Sequence, residues 1–231
     1  MLYNPYYMIF MAPAFLIMLL TQWYVSSAYR KWSRVPTSSR VSGAEAAQRL
    51  MRAGNLYDVQ IEGITGRMSD HYDPRSKSLR LSRGVYQSNS VAALAIAAHE
   101  LGHAMQDQEG YTPLRLRAAL VPAVNIGSYL GWILIFVGFL LRSPEIAWIG
   151  LLVFAGGAIF ALATLPVEFN ASARAKRLLS ETGLIVSEDE MRGVNHVLNA
   201  AALTYVAALI TAVMQILYYA TMIGGMGRRM Q

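Results

Sequence analysis

Four uncharged or nearly uncharged apolar runs, each about twenty residues long, restrict what this 231-residue chain can become. A helix needs about 20 apolar residues to cross a hydrocarbon layer about 30 Å thick, and only helices or closed barrels satisfy every backbone polar group there. The first run, residues 6–25, contains no charge and ends on Trp23 and Tyr24, the amphipathic rings that favour a membrane interface. No basic residue precedes it and no small-x-small pattern follows it directly, so it reads as a retained anchor, not a cleaved signal. The second run covers 120–141 and the third 146–165. Only Arg142-Ser143-Pro144-Glu145 separates them, which predicts a tight helical hairpin. The fourth covers 200–223. Gly127 with Gly131, and Gly156 with Gly157, let helices approach closely, and packing within the chain is the expected use.

The distribution of positive charge predicts an orientation. Of the 20 Lys and Arg residues, thirteen lie between residues 26 and 118. Four more, Arg174, Lys176, Arg177 and Arg192, follow the third run, while Arg142, Arg228 and Arg229 lie on the opposite side. Cytoplasmic loops carry the basic excess in membrane proteins, so segments 26–118 and 166–199 are assigned to the cytoplasm and both termini to the outside. The formal net charge of +6 is thereby explained without nucleic acid. The chain has no cysteine, which leaves His, Asp and Glu as the metal-binding side chains. The absence fits a reducing compartment.

The 26–118 segment reads as a small α+β unit. Ser42-Gly43-Ala44-Glu45 is a capping box that opens a helix to about Ala53, and Gly54 closes it. Val59 and Ile61 alternate with polar neighbours, as a strand requires. Residues 69–75 (Ser-Asp-His-Tyr-Asp-Pro-Arg) read as a turn shaped by Asp70 and Asp73. Leu79-Arg80-Leu81-Ser82 reads as a short edge strand, a place where an extended substrate backbone could pair.

One segment carries chemistry. From Asn89 or Ser90 to Gly110 the chain is alanine-rich and capped at both ends, which predicts a helix of about 28 Å. On it lie His99, Glu100 and His103, in the pattern HExxH. Four residues turn a helix by about 400°, so the two imidazoles share one face and can hold one Zn²⁺, while Glu100 lies beside the metal as base for its water. With 4 His and 9 Glu in the chain, such a pattern arises by chance in roughly a quarter of one per cent of shuffled sequences, so the metal reading outweighs two ordinary core histidines. Gly102, inside the same helix, costs about 1 kcal/mol relative to Ala and predicts another backbone packed against that point.

A catalytic zinc site needs a third protein ligand. Glu109 has the spacing found in metzincins, but Gln106 stands where the chain would need Gly to turn back. Glu168, in Leu165-Pro-Val-Glu-Phe-Asn-Ala-Ser172, follows the third run directly and falls on the side assigned to His99. A carboxylate beside an apolar span needs a partner, which a metal or a basic residue such as Arg174 or Arg177 would supply. Tyr205, His196 and His71 are candidates for stabilising the oxyanion of a peptide hydrolysis.

These blocks resemble the bacterial membrane-bound neutral zinc metallopeptidase family of the YugP type. The resemblance is carried by residues 69–74, by Ala-Ala-His99-Glu-Leu-Gly-His-Ala, by the segments beginning at Leu120 and Leu165, and by Leu198-Asn-Ala-Ala-Ala-Leu-Thr-Tyr205. It covers nearly the whole chain. It implies a zinc-dependent endopeptidase with zinc on His99, His103 and Glu168 and with Glu100 as catalytic base. The chain is similar, more distantly, to HtpX-type and CAAX prenyl proteases, whose third ligand is a Glu on a later helix. Those proteins carry an Asp four residues after that Glu, where this chain has Ser172, so Ser172, Asn170 or another group must orient the histidines.

The expectation is therefore a mainly α membrane protein with four transmembrane helices and a small cytoplasmic α+β zincin-like catalytic unit. Its partners would be a polypeptide substrate and the lipid bilayer, and its cofactor Zn²⁺. The alternative is a non-catalytic scaffold in which zinc only staples segments together, although such a site has no need of Glu100. A metal transporter would need ionisable groups in the middle of its spans, and the sequence has none there.

Overall fold

The apolar runs form helices, and most of these helices outlast the runs. The computed structural model describes residues 5–228; Arg229, counted above, lies outside the described residues. In chain order the elements are α1 (Pro5–Trp32), α2 (Gly43–Ala53), β1 (Gln60–Ile64), β2 (His71–Asp73), β3 (Ser78–Ser82), α3 (Arg83–Tyr86), α4 (Val91–Gln108), α5 (Thr112–Leu140), α6 (Pro144–Phe154), α7 (Gly156–Glu181) and α8 (Glu188–Arg228). Among the described residues, four stretches are long and apolar enough to cross a membrane: Tyr7–Trp32, Thr112–Leu140, Pro144–Glu181 and Glu188–Met226. The third contains α6 and α7, which meet at Ala155. The described residues divide into two compact units, one of residues 5–22, 116–165 and 204–228, the other of residues 23–115 and 166–203.

The first unit holds the hairpin of α5 and α6. Arg142 takes a left-handed φ of 55°, and Ser143 caps α6 by accepting from the N–H of Ile146 at 3.4 Å. A Cβ on Gly131 would lie 2.8 Å from the carbonyl oxygen of Gly150, and one on Gly138 would lie 2.7 Å from the Cβ of Ala147. The glycines thus bring backbones of one chain together. Ile135, Ala147, Leu151 and Ile223 form the buried cluster of this unit.

The second unit joins α2, the sheet, α3 and α4 to parts of α7 and α8 through a continuous core that includes Leu50, Leu79, Leu81, Leu94, Leu101, Leu179 and Val194. The capping box of α2 is formed: Ser42 Oγ accepts from the N–H of Glu45, and the Glu45 carboxylate accepts from the N–H of Ser42 at 2.7 Å. The sheet order is β1-β3-β2, with β1 parallel and β2 antiparallel to β3. This corrects two expectations. The run Leu79–Ser82 is the central strand, because its leucines are buried and it pairs on both sides. The 69–75 turn contains a three-residue strand, too short to show an alternating pattern. Asp73 does shape the turn, accepting from the N–H of Arg75 and the hydroxyl of Ser76. Asp70 instead accepts from the N–H and hydroxyl of Ser82, which ties the entry of β2 to the end of β3.

A further difference concerns the segment after the third run. Residues 166–181 continue α7 through Pro166, and α8 begins at Glu188, so little of 166–199 is loop. Proline removes one N–H from the helix ladder, and here the helix runs on past that position.

Candidate metal centre

Helix α4 begins where Ser90 Oγ accepts from the N–H of Ala93 at 3.2 Å. It ends where Gly110 adopts φ +64°, with the N–H of Tyr111 donated to Gln106 O at 2.8 Å. Its alanines allow neighbours to close in on nearly every side, and Ala92, Ala95, Ala97 and Ala98 are fully buried. The closest approach comes at Gly102: a Cβ there would lie 2.5 Å from the carbonyl oxygen of Ala171 in α7. The glycine inside the HExxH pattern is thus what lets α7 lie against α4.

That approach brings the three expected residues together. Glu168 Oε2 lies 3.2 Å from His99 Nε2 and 3.5 Å from His103 Nε2. One ligand atom from each of the three residues falls within 4.8 Å of the others. The imidazole rings are 4.9 Å apart and nearly perpendicular, at 82°. Bonds of about 2.0–2.2 Å at tetrahedral angles place ligand atoms about 3.3–3.6 Å apart, so this donor set fits zinc. Glu168 is 2% exposed and His103 9%. All three belong to the second unit.

The other ring nitrogens are also held. His99 Nδ1 shares a hydrogen bond of 3.2 Å with Ser172 Oγ, and His103 Nδ1 lies 3.0 Å from Gln106 Oε1. Gln106 Nε2 donates to Val167 O at 2.8 Å and to Asn170 Oδ1 at 3.0 Å. Ser172 and Asn170 were legible as orienting candidates. The part played by Gln106 was not, because nothing local predicts a bond to residue 167.

Burial pushes the Glu100 carboxyl above its usual pKa; the neighbouring imidazoles oppose this, and Glu168 and Asp70 add to it. Burial disfavours the charged form of His103, but the Glu168 hydrogen bond and the charges of Glu100 and Glu168 outweigh it and raise the pKa.

Glu109 is engaged by a two-pronged ion pair with Arg174, at 2.6 and 2.7 Å, so it is not part of the donor group. The basic residues considered as partners for Glu168 have other carboxylates: Arg174 that of Glu109, and Arg177 that of Glu181 at 3.8 Å. His71 is exposed, its Nδ1 2.8 Å from Ser69 O. His196 Nδ1 accepts from Trp32 Nε1 at 3.0 Å, and its ring packs on Tyr24. Tyr205 belongs to the first unit, where it lines a cavity of about 420 Å³ together with Arg117, Ser128, Thr164 and Gln215.

A family model described as "Putative neutral zinc metallopeptidase" matches residues 7–224. The chain is 44% identical over 198 residues to the "Putative membrane protease YugP" of Bacillus subtilis (strain 168), an alignment covering 86% of this chain and 88% of that protein. No solved structure matches the chain.

Proposed function

This chain belongs to the "Putative neutral zinc metallopeptidase" family, and from that premise we propose that it is a membrane-anchored zinc endopeptidase acting on membrane or membrane-proximal polypeptides. The observation that carries the reading is the convergence of His99 Nε2, His103 Nε2 and the Glu168 carboxylate beside Glu100. Zinc bound there would supply a Lewis acid that polarises a peptide carbonyl and acidifies water.

The chain's own groups have separable tasks. His103 presents Nε2 to the site while Gln106 holds its Nδ1, and Ser172 supports the ring of His99. Glu168 contributes negative charge from a nearly dry position, which strengthens its hold on a cation. Glu100 takes a proton from the attacking water and passes it to the leaving amine. Burial alone favours its neutral form. A neighbouring cation opposes that and favours the carboxylate that a base requires. The charge count supports a cytoplasmic site, facing segments of polypeptide close to the inner surface.

Cleavage of an unstructured reporter by purified protein tests the reading. Glu100→Gln is expected to keep its zinc and lose about 10²-fold or more in rate, because the base is removed and the donor set left intact. Glu168→Ala is expected to lose zinc as well as activity. A Glu100→Gln protein that cleaves at the wild-type rate would exclude the enzyme, and a Glu168→Ala protein with full zinc content would exclude the third ligand.

A further inference from the structure

We infer that Gln106 is the positioning residue of this site, and that its single carboxamide fixes both the ring of His103 and the stretch of α7 that carries Glu168. The inference rests on the reading of His99, His103 and Glu168 as the ligand set. It adds the device that holds two of them in register.

Gln106 is fully buried. A carboxamide placed there is costly unless its donors and acceptor are paired. Its Nε2 donates to Val167 O and Asn170 Oδ1. A backbone carbonyl can only accept, so the nitrogen of the amide must face α7 and the oxygen must face α4. That oxygen lies 3.0 Å from His103 Nδ1. It can only accept, so Nδ1 carries the proton. In a neutral imidazole this leaves the lone pair on Nε2, the atom turned toward Glu168. The orientation of the amide therefore dictates the tautomer, and the tautomer dictates which nitrogen can bind a cation.

The second arm of the amide reaches the other ligand helix. Val167 immediately precedes Glu168, so the bond to its carbonyl fixes the backbone next to the third ligand. Asn170 extends the network: its Oδ1 also accepts from Arg174 Nε at 2.7 Å, and Arg174 forks onto Glu109. Ser172 has a weaker hold on His99. A hydroxyl rotates to donate or accept, so it supports the ring without selecting its tautomer.

Zinc affinity measured by competition with a chromophoric chelator tests this, with thermal melting of each zinc-free protein beside it. The proteins are wild type, Gln106→Leu, Gln106→Glu and, as a control for the ligand set, His103→Ala. Gln106→Leu removes the acceptor for His103 Nδ1–H and is expected to weaken zinc binding about 10–100-fold. Gln106→Glu keeps an acceptor for Nδ1–H but offers no N–H to Val167 O or Asn170 Oδ1, so it is expected to lose about tenfold or less, and less than Gln106→Leu, whatever its melting temperature. A purely structural role would make affinity follow the melts instead. Wild-type affinity in Gln106→Leu, or an equal loss in Gln106→Glu, overturns the inference. If Gln106→Leu does not fold, Gln106→Glu decides alone: a loss of up to about tenfold sustains the inference, and either unchanged affinity or a loss of about a hundredfold ends it. Failure of the underlying reading looks different, because wild type and His103→Ala would then bind zinc equally.

Discussion

Burying the Glu168 carboxylate to 2% exposure costs several kcal/mol unless positive charge compensates it. Its Oε2 faces two imidazole nitrogens that α4 presents from one face, and a cation held among the three side chains would supply that charge. The arrangement depends on Gly102. Alanine there gains about 1 kcal/mol of helix propensity but loses about 1–3 kcal/mol to overpacking. The obstacle is a backbone oxygen 2.5 Å from the new Cβ, not a movable side-chain tip. Gly102→Ala is therefore expected to lower the melting temperature, and a variant that melts above wild type would contradict the contact. At this scale the sequence was informative where helical spacing does the work. His99 and His103 shared a face by arithmetic, and the misfit of Gly102 with an alanine helix announced a close neighbour. Glu168 was legible only through its position after an apolar run and through resemblance. Gln106 was read solely as the residue that blocks a turn, since its partners lie about sixty residues away.

Elements tell a similar story. The capping box at Ser42 and Glu45 and the cap at Ser90 were visible because they are local, and both are formed. The sheet was misread where local pattern fails: β2 is three residues long, and the central place of β3 follows from partners the pattern does not name. Arg80 on β3 holds the strands together, reaching Glu62 on β1 at 2.9 Å and Asp73 on β2 at 3.2 Å. The Arg80 hydrogen bond lowers the pKa of Glu62 below its ordinary 4.5. The N–H of Arg75 and the Ser76 hydroxyl lower that of Asp73 below 3.8. Folded pKa values below the unfolded ones mean that the stabilisation is complete above those ordinary values and is lost as pH falls through the lowered ones. Melting of the zinc-free protein is expected to decline in that acid range, and Arg80→Gln to flatten the decline. An unchanged acid profile in Arg80→Gln would contradict the account.

For the whole molecule, hydropathy was the readable quantity, and four stretches long and apolar enough to span a membrane are present among the described residues. The lengths of α7 and α8 were not readable, because hydropathy marks only their apolar parts: α7 runs on through Pro166, and α8 opens with Glu188, Asp189 and Glu190. Orientation is a prediction of the positive charge alone. The chain has no cysteine, so single cysteines report it cleanly. Ser143→Cys is expected to react with a membrane-impermeant maleimide on intact cells and Ser76→Cys only after lysis; the reverse pattern would invert the topology. The central claim concerns the metal, and the most direct measurement is anomalous scattering at the zinc edge from crystals of zinc-replete protein. The account predicts one peak at about 2.0–2.2 Å from His99 Nε2, His103 Nε2 and a Glu168 oxygen. A peak elsewhere, or none between those three side chains, would contradict it.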